Sequence, residues 1–363
     1  MKANRHVPHR LNRRELLRLA CLGLAGLPFA GVPGCSGRDA ARVPVADLEP
    51  ELNIYNWSDY IAPDTVRAFE REFGVRVSYD TYESNEELLA KLAAGAAGYD
   101  VVVPTGYGIQ ALLAQDLLAP LERSRLSNWD NIAPLFRDSP YDPGRRYSVP
   151  YQWGVTGIAY RADRIAAAPD SWGTFLESRY AGHMTMLDDG REVLGAMLKL
   201  RGHSYNSVNA AELAAARADA IAAKANLMAY VSAPVKGQLI AGDVWLAQLW
   251  SGDATQARVE QAEIEFVVPR EGSMLFGDAM AMSRGAPHPR AAHAFMNYVL
   301  RPDVGAAIAQ ATGYGTPNAA AAARLTPARP YPTAAELARL EYQAELGPAN
   351  ALWDRTWVEV KSA

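Results

Sequence analysis

Three short runs each couple an aromatic ring to a carboxylate: Tyr55-Asn56-Trp57-Ser58-Asp59-Tyr60, Trp250-Ser251-Gly252-Asp253 and Phe276-Gly277-Asp278. The chemistry they suit is the capture of a flexible organic polycation. The ammonium ends of an alkyl diamine need carboxylate acceptors, and its methylene spine needs flat apolar walls that tolerate positive charge. Catalytic arrangements compete poorly with this reading. The histidines, His6, His9, His183, His203, His288 and His293, have no metal-ligand spacing. No Gly-x-Ser-x-Gly or Gly-x-Gly-x-x-Gly run follows a strand convincingly. An exported hydrolase or oxidoreductase is the lesser alternative, and neither a metal nor a cofactor is expected.

Elements that carry these runs must be held outside the cytoplasm if the ends of the chain are read literally. Residues 1–34 have the form of an export signal: Lys2, Arg5 and Arg10 lead into Asn12-Arg13-Arg14-Glu15-Leu16-Leu17, a twin-arginine pattern, and an apolar run follows from Leu19 to Val32. That run is too short and too rich in Gly and Pro for a membrane span. Both cysteines, Cys21 and Cys35, fall in this region, so the remaining chain can form no disulfide of its own. Val32-Pro33-Gly34-Cys35 is similar to a bacterial lipoprotein box, which marks Cys35 for lipidation; simple signal cleavage nearby is the other reading. Residues 35–51 lack hydrophobic periodicity and serve as a flexible tether. The net charge of −4 divides into +5 for residues 1–34 and −9 for the rest. An acidic body gathers cations and argues against nucleic acid.

From about residue 52 the chain is long enough for two lobes of ordinary domain size. Leu52 to Tyr55 alternates as a strand. Pro63-Asp64 opens a helix with Val66, Phe69 and Phe73 on one face, and Gly74 stops it. Val75 to Tyr79 is a second strand, Ser84 and Glu87 have capping-box spacing, and Tyr99 to Pro104 reads as a buried strand. Strand, helix, strand, helix, strand implies a parallel sheet, in which ligands sit at the carboxyl ends of strands. The Trp57–Tyr60 run and Thr105-Gly106-Tyr107 both lie there. Tyr147–Tyr160 is expected to cross into a second lobe, with a return through Ile264–Pro269 to Ala279–Met282. Between the crossings come a strand at Met184–Leu187, helices near Val193–Leu200 and Ala210–Lys224, and a strand at Val244–Leu249. Helices near Pro289–Val299 and Asp303–Ala311 follow. The fold expected is α/β: two hinge-linked lobes, each a mixed β-sheet flanked by helices, closing like a clamp.

In this order the motifs resemble the bacterial polyamine-binding (spermidine/putrescine) proteins of ABC transporters. The resemblance rests on Tyr55–Tyr60, Thr81-Tyr-Glu-Ser-Asn-Glu86, Tyr99–Pro104, Ser148-Val-Pro-Tyr-Gln-Trp-Gly154, Asp188-Asp-Gly-Arg-Glu192, Arg301-Pro-Asp-Val304 and Gly313-Tyr-Gly-Thr-Pro-Asn318. It implies a two-lobed periplasmic-binding-protein fold of type II, with residues 52–153 plus 277–325 as lobe 1 and 154–276 plus 326–363 as lobe 2. It implies a monomer that delivers a polyamine to an ABC permease with its ATPase, touching the membrane only through a lipid anchor. The same fold could instead receive an amino acid, iron or a sugar, although no arginine for an α-carboxylate and no Tyr/His cluster accompanies the aromatic-acid runs.

The resemblance also assigns residues. It places the aromatic box on Trp57, Tyr60, Tyr107, Trp250, Phe276 and Tyr314, and it makes Asp278 the carboxylate for a terminal ammonium. Asp59 and Asp253 correspond to acids that reach one end of a diamine, and Ser58 lies between ring and acid. Glu192 takes an amine and Asp189 an additional nitrogen. Thr105 stands in for a family serine, and Gln343 for a late hydrogen-bonding glutamine. Two simpler readings stay open here: Asp59 could cap the helix near Pro63, and Asp189 with Glu192 could serve a helix dipole without any ligand. Phe276 replaces a tryptophan of spermidine-preferring members while Asp189-Gly-Arg-Glu192 resembles them, so the preferred polyamine stays open.

Overall fold

The computed structural model describes residues 47–95, 98–232, 234–325 and 332–363. The segment expected to be an export signal, Cys35 expected as a lipidation site, and most of the expected tether lie outside the described residues. The first strand, β1, runs from Glu51 to Trp57, so Trp57 closes the strand and the loop begins at Ser58. Helix α1, Pro63–Phe73, starts on a proline whose missing N–H is of no consequence in the first turn, and Gly74 ends it with φ 69°. Its N-cap is Ala62, with no side-chain cap, which removes the capping role considered for Asp59. Strand β2 is Arg76–Tyr82. Helix α2, Asn85–Ala93, is capped by Ser84, whose hydroxyl accepts from the Glu87 N–H. The Glu87 carboxylate reaches the Glu83 N–H at 3.1 Å, one residue short of the reciprocal bond that the spacing predicts. Strand β3 is only Val101–Val102, inside a buried stretch, and helix α3 covers Gly106–Ala114.

Strands β1, β2 and β3 pair in parallel, with β1 in the centre. A short strand β4, Leu118–Ala119, precedes β5, Ser148–Arg161, a single 14-residue strand that is almost wholly buried. The second unit contains β6, Met184–Met186; α4, Gly190–Leu200; α5, Ala210–Lys224; β7, Leu227–Tyr230; α6, Val235–Ala241; β8, Leu246–Trp250; α7, Ser251–Glu260; and β9, Ile264–Val267. Strand β10, Met274–Ser283, is followed by α8, Pro289–Val299; α9, Pro302–Thr312; α10, Ala319–Ala322; α11, Ala334–Leu337; β11, Glu341–Tyr342; and α12, Asn350–Ser362. The sheet path is β2-β1-β3-β10-β5-β8-β6-β7, with β4 and β11 on β10 and β9 on β5.

Strand β5 is what joins the two halves. From Ser148 to Val155 it is antiparallel to β10, and from Thr156 onward it pairs instead with β8 and β9. The sheet is therefore mixed, with helices on both halves. Separate apolar cores lie on either side: one around Leu52, Phe69, Val101 and Phe295, another around Trp172, Met184, Leu194 and Trp353. Each core hides its rings and aliphatic chains from water, the dominant favourable term in folding.

Several elements differ from the sequence reading. Helix α4 begins at Gly190 and not near Val193, because Asp189 caps it from the preceding loop. Strand β7 and helices α6, α7 and α12 were not anticipated. Helix α7, Ser-Gly-Asp-Ala-Thr-Gln-Ala-Arg-Val-Glu, contains few apolar residues and has a weak amphipathic signal; tertiary contact of Ala254 and Ala257 secures it.

Candidate functional site

The carboxyl ends of β1, β3, β6 and β8 point at one cavity of about 730 Å³, counting its open mouth. This is where ligands bind in open α/β sheets. Trp57 ends β1, and Ser58, Asp59 and Tyr60 form the turn after it. Thr105 follows β3 and makes an isolated antiparallel bridge to Asp278 on β10. Asp278 itself sits where the β10–β5 register slips, opposite Gln152. A slip of this kind re-aims a side chain next to a site. Asp189 and Glu192 lie at the start of α4 after β6, and Trp250 ends β8 with Asp253 in the first turn of α7. Tyr314 follows Gly313, which takes φ 79° to end α9.

Thirteen of the fourteen expected residues line this cavity: Trp57, Ser58, Asp59, Tyr60, Thr105, Asp189, Glu192, Trp250, Asp253, Phe276, Asp278, Tyr314 and Gln343. Tyr107 does not. Its ring is buried beside the cleft and its hydroxyl donates to Glu86 at 3.2 Å, so it supports the wall from behind. Four lining residues were not singled out from sequence: Glu83, Asn85, Lys236 and Met274. Glu83 and Asn85 belong to the Thr81–Glu86 motif, and Met274 precedes Phe276 by two positions, so their signals were present. Lys236 had none, since a cation runs against the expected acidic lining.

The rings meet edge to face. Trp57 and Trp250 approach from the two halves of the sheet with centroids 6.4 Å apart. Tyr60 packs against Tyr314 at 4.9 Å, and Phe276 against Tyr314 at 6.0 Å. Edge-to-face contact sets the positive edge of one ring against the negative face of the next. The Trp57 indole N–H donates to the Val103 carbonyl at 2.8 Å and so fixes the ring. Gly252 is required for close approach, because a Cβ there would overlap the Tyr314 ring.

The carboxylates are unusual for their burial. Asp278 is 4% exposed; the Tyr60 hydroxyl donates to Oδ2 at 2.5 Å, while Oδ1 has no partner. Burial pushes its carboxyl up to about 7, the Tyr60 hydrogen bond opposing the rise. Glu192, 2% exposed, accepts from Thr156 at 2.9 Å, Trp250 Nε1 at 3.0 Å and Tyr205 at 2.7 Å. Burial and the neighbouring Asp189 charge raise it to about 7 in spite of those three donors. Asp253 accepts from Tyr314 at 3.1 Å. Burial lifts it to about 6, against the pull of Lys236. Asp189 accepts the Arg191 and Glu192 N–H groups, so it caps α4 and lines the cavity at once; burial raises it too. The hydroxyl of Thr105 is buried without a partner. These four carboxyl groups thus line one cavity, and Asp278 keeps one oxygen without a partner. Among the described residues no group of three or more His, Cys, Asp or Glu side chains is arranged to hold a metal ion.

A mixed sheet in two halves joined along one strand, with a cleft at the carboxyl ends of its strands, fits a class of receptors that bind solutes. The chain belongs to the family described as "Bacterial extracellular solute-binding protein", which matches residues 64–338. It is 33% identical over 324 residues to the spermidine/putrescine-binding periplasmic protein of Escherichia coli K12, covering 87% of this chain and 93% of that one. It is 36% identical over 345 residues to the putrescine-binding periplasmic protein PotF of the same organism, covering 88% and 93%. Among solved structures, the TpPotD lipoprotein of Treponema pallidum superposes with a TM-score of 0.77 at 31% identity, covering 85% of this chain and 99% of that one. The spermidine/putrescine ABC transporter substrate-binding protein PotD of Streptococcus pneumoniae superposes at 0.73 and 31%, covering 86% and 99%.

Proposed function

We propose that this chain captures a polyamine, putrescine or spermidine, in its aromatic and acidic cleft and delivers it to an ABC permease driven by an ATPase. The observation that carries this reading is Asp278: a carboxylate buried among Tyr60, Phe276 and Tyr314, with one oxygen hydrogen-bonded and the other unsatisfied. An unpaired buried carboxylate is costly, and a ligand ammonium removes that cost. The names of the relatives agree with the chemistry, and none describes an enzyme.

In this reading methylenes lie between Trp57, Tyr60, Trp250, Phe276 and Tyr314. Asp278 takes one ammonium, and Glu192, Asp189 and Asp253 serve the others, with Ser58, Thr105 and Gln343 completing the polar lining and Asp59 at the mouth in contact with Lys236. Residues 52–153 with 277–325 act as one lobe and 154–276 with 326–363 as the other, and the change of partner along β5 between Val155 and Thr156 supports a hinge there. The protein works outside the cytoplasm as a monomer, exported through its twin-arginine leader and anchored through Cys35. Titration calorimetry of ligand-stripped protein with putrescine, cadaverine, spermidine and spermine tests the reading. Micromolar or tighter binding of at least one is expected; binding of amino acids, ferric ion or sugars with no response to any polyamine overturns it.

A further inference from the structure

Among the described residues lining the cleft, Lys236 is the single Lys or Arg. Its position is built. The ammonium contacts Asp59 Oδ2 at 2.8 Å and Gln256 Oε1 at 2.8 Å, and Gln256 is itself fixed by donating to the Thr312 carbonyl at 2.7 Å. Thr312 is two residues ahead of Tyr314, so the lysine is tied to the aromatic wall. Its side chain is 19% exposed while that of Asp59 is 72% exposed. The pair therefore spans the cleft from α6 on one half of the sheet to the β1–α1 turn on the other.

Neither residue is placed for the benefit of its own element. Lys236 lies in the first turn of α6, at the positive end of a helix dipole, where a cation is disfavoured. Asp59 has φ 52°, a left-handed conformation that costs energy for a residue with a side chain. The contact between them joins the two elements across the cleft. The groups that face the ammonium are Asp59, Gln256 and, at longer range, Asp253, which in turn is flanked by Glu83. This is an acidic corner already filled by a positive charge belonging to the protein.

We infer that Lys236 is the residue that sets ligand length and charge: its ammonium takes the nitrogen position at the Asp59 corner, which tunes the cleft to diamines and against a third ligand nitrogen. The inference rests on the polyamine reading above. Asp278 and Glu192, which have no cationic partner among the described contacts, remain for the two ends of a diamine. A triamine whose extra ammonium extends past Asp278 and Glu192 to the Asp59 side of the cleft must bring it toward a like charge or displace Lys236 from Asp59 and Gln256. Like-charge juxtaposition of this kind is a common device for rejecting the wrong partner.

The test is calorimetry of wild-type protein and the variants Lys236→Met, Lys236→Gln and Lys236→Arg with putrescine and spermidine, each protein stripped of ligand and checked for an unchanged melting profile. Removing the charge is expected to tighten spermidine relative to putrescine by about tenfold or more. Lys236→Arg keeps the charge and is expected to retain the wild-type ratio. If Met and Gln change both affinities by the same factor, the lysine is merely a clasp between the two halves and the assignment is overturned while the polyamine reading stands. If wild type binds neither amine, the assignment falls, and if it binds neither cadaverine nor spermine as well, the polyamine reading fails with it. Two neutral variants of different shape ensure that a folding defect in one leaves the other to decide.

Discussion

The Tyr60 hydroxyl donates to Asp278 Oδ2 at 2.5 Å across 218 positions of sequence, and the second oxygen of that carboxylate is buried without a partner. The tyrosine comes from the turn after β1 and the aspartate from the register slip in β10, so one bond reports on the packing of both. It orients Asp278 and leaves one oxygen for an incoming donor.

Replacing Asp278 tests that arrangement. Asp278→Ala is expected to weaken polyamine binding by about 2 to 5 kcal/mol, since the ligand ammonium would be buried unpaired. Asp278→Asn keeps the shape and the Tyr60 contact, and its loss should be of similar size because the charge is what matters. Calorimetry on stripped protein measures both. An Asn variant that binds like wild type would show that the carboxylate acts only as a hydrogen-bond acceptor.

Trp250 has two duties, a ring facing Trp57 and an N–H donated to Glu192. Trp250→Ala removes both and should cost on the order of 2 to 4 kcal/mol of ligand affinity. Trp250→Phe restores a ring without the donor and should fall between Ala and wild type. Quenching of tryptophan fluorescence on ligand addition, compared across the three proteins, gives an independent readout.

The titration of the buried acids makes stability depend on pH. The Asp278 carboxyl rises from 3.8 to about 7 on folding, so the native state binds the extra proton throughout that window. Stability falls with rising pH where the native state holds more protons, so this contribution is greatest near pH 4 and is lost as pH rises through about 7. Glu192 and Asp253 act with the same sign. Stripped protein is therefore expected to lose melting temperature between pH 5 and pH 7.5 through these groups. An ammonium favours the ionised acids, so the melting shift produced by putrescine should grow over the same interval. A ligand-induced shift that shrinks toward pH 7.5 would contradict the assignment.

Gly252 offers a steric test. A Cβ at this position would overlap the Tyr314 ring, and the ring has Tyr60 and Phe276 against its other sides. Gly252→Ala is expected to cost about 1 to 3 kcal/mol of stability, the usual penalty for overpacking, and to displace Tyr314 from the cleft. Urea denaturation reads the first effect and calorimetry the second.

Much of the site could be read from sequence because each ring-acid run is local. A strand end followed by Ser58-Asp59-Tyr60, or Trp250 three residues ahead of Asp253, fixes ring and carboxylate near each other whatever the rest of the chain does. Helix boundaries at Pro63, Gly74 and Pro289 were legible for the same reason, since proline and glycine act through their own dihedral angles. Tyr107 shows the limit. Its motif follows a strand end as Ser58-Asp59-Tyr60 does, yet helix α3 turns the ring toward Glu86 and away from the cavity.

What the chain determined by itself is thus the set of groups and the elements that bear them: periodicity, caps and strand ends are short-range properties of the backbone and its immediate side chains. What only the tertiary structure decided is which of those groups share a space and in what charge state. The unsatisfied oxygen of Asp278, the raised pKa values of Glu192 and Asp253, and the reach of Lys236 to Asp59 all arise from desolvation and from contacts between residues far apart in sequence. Burial and long-range charge are set by the packing of two halves of one sheet, and no local pattern of residues encodes them.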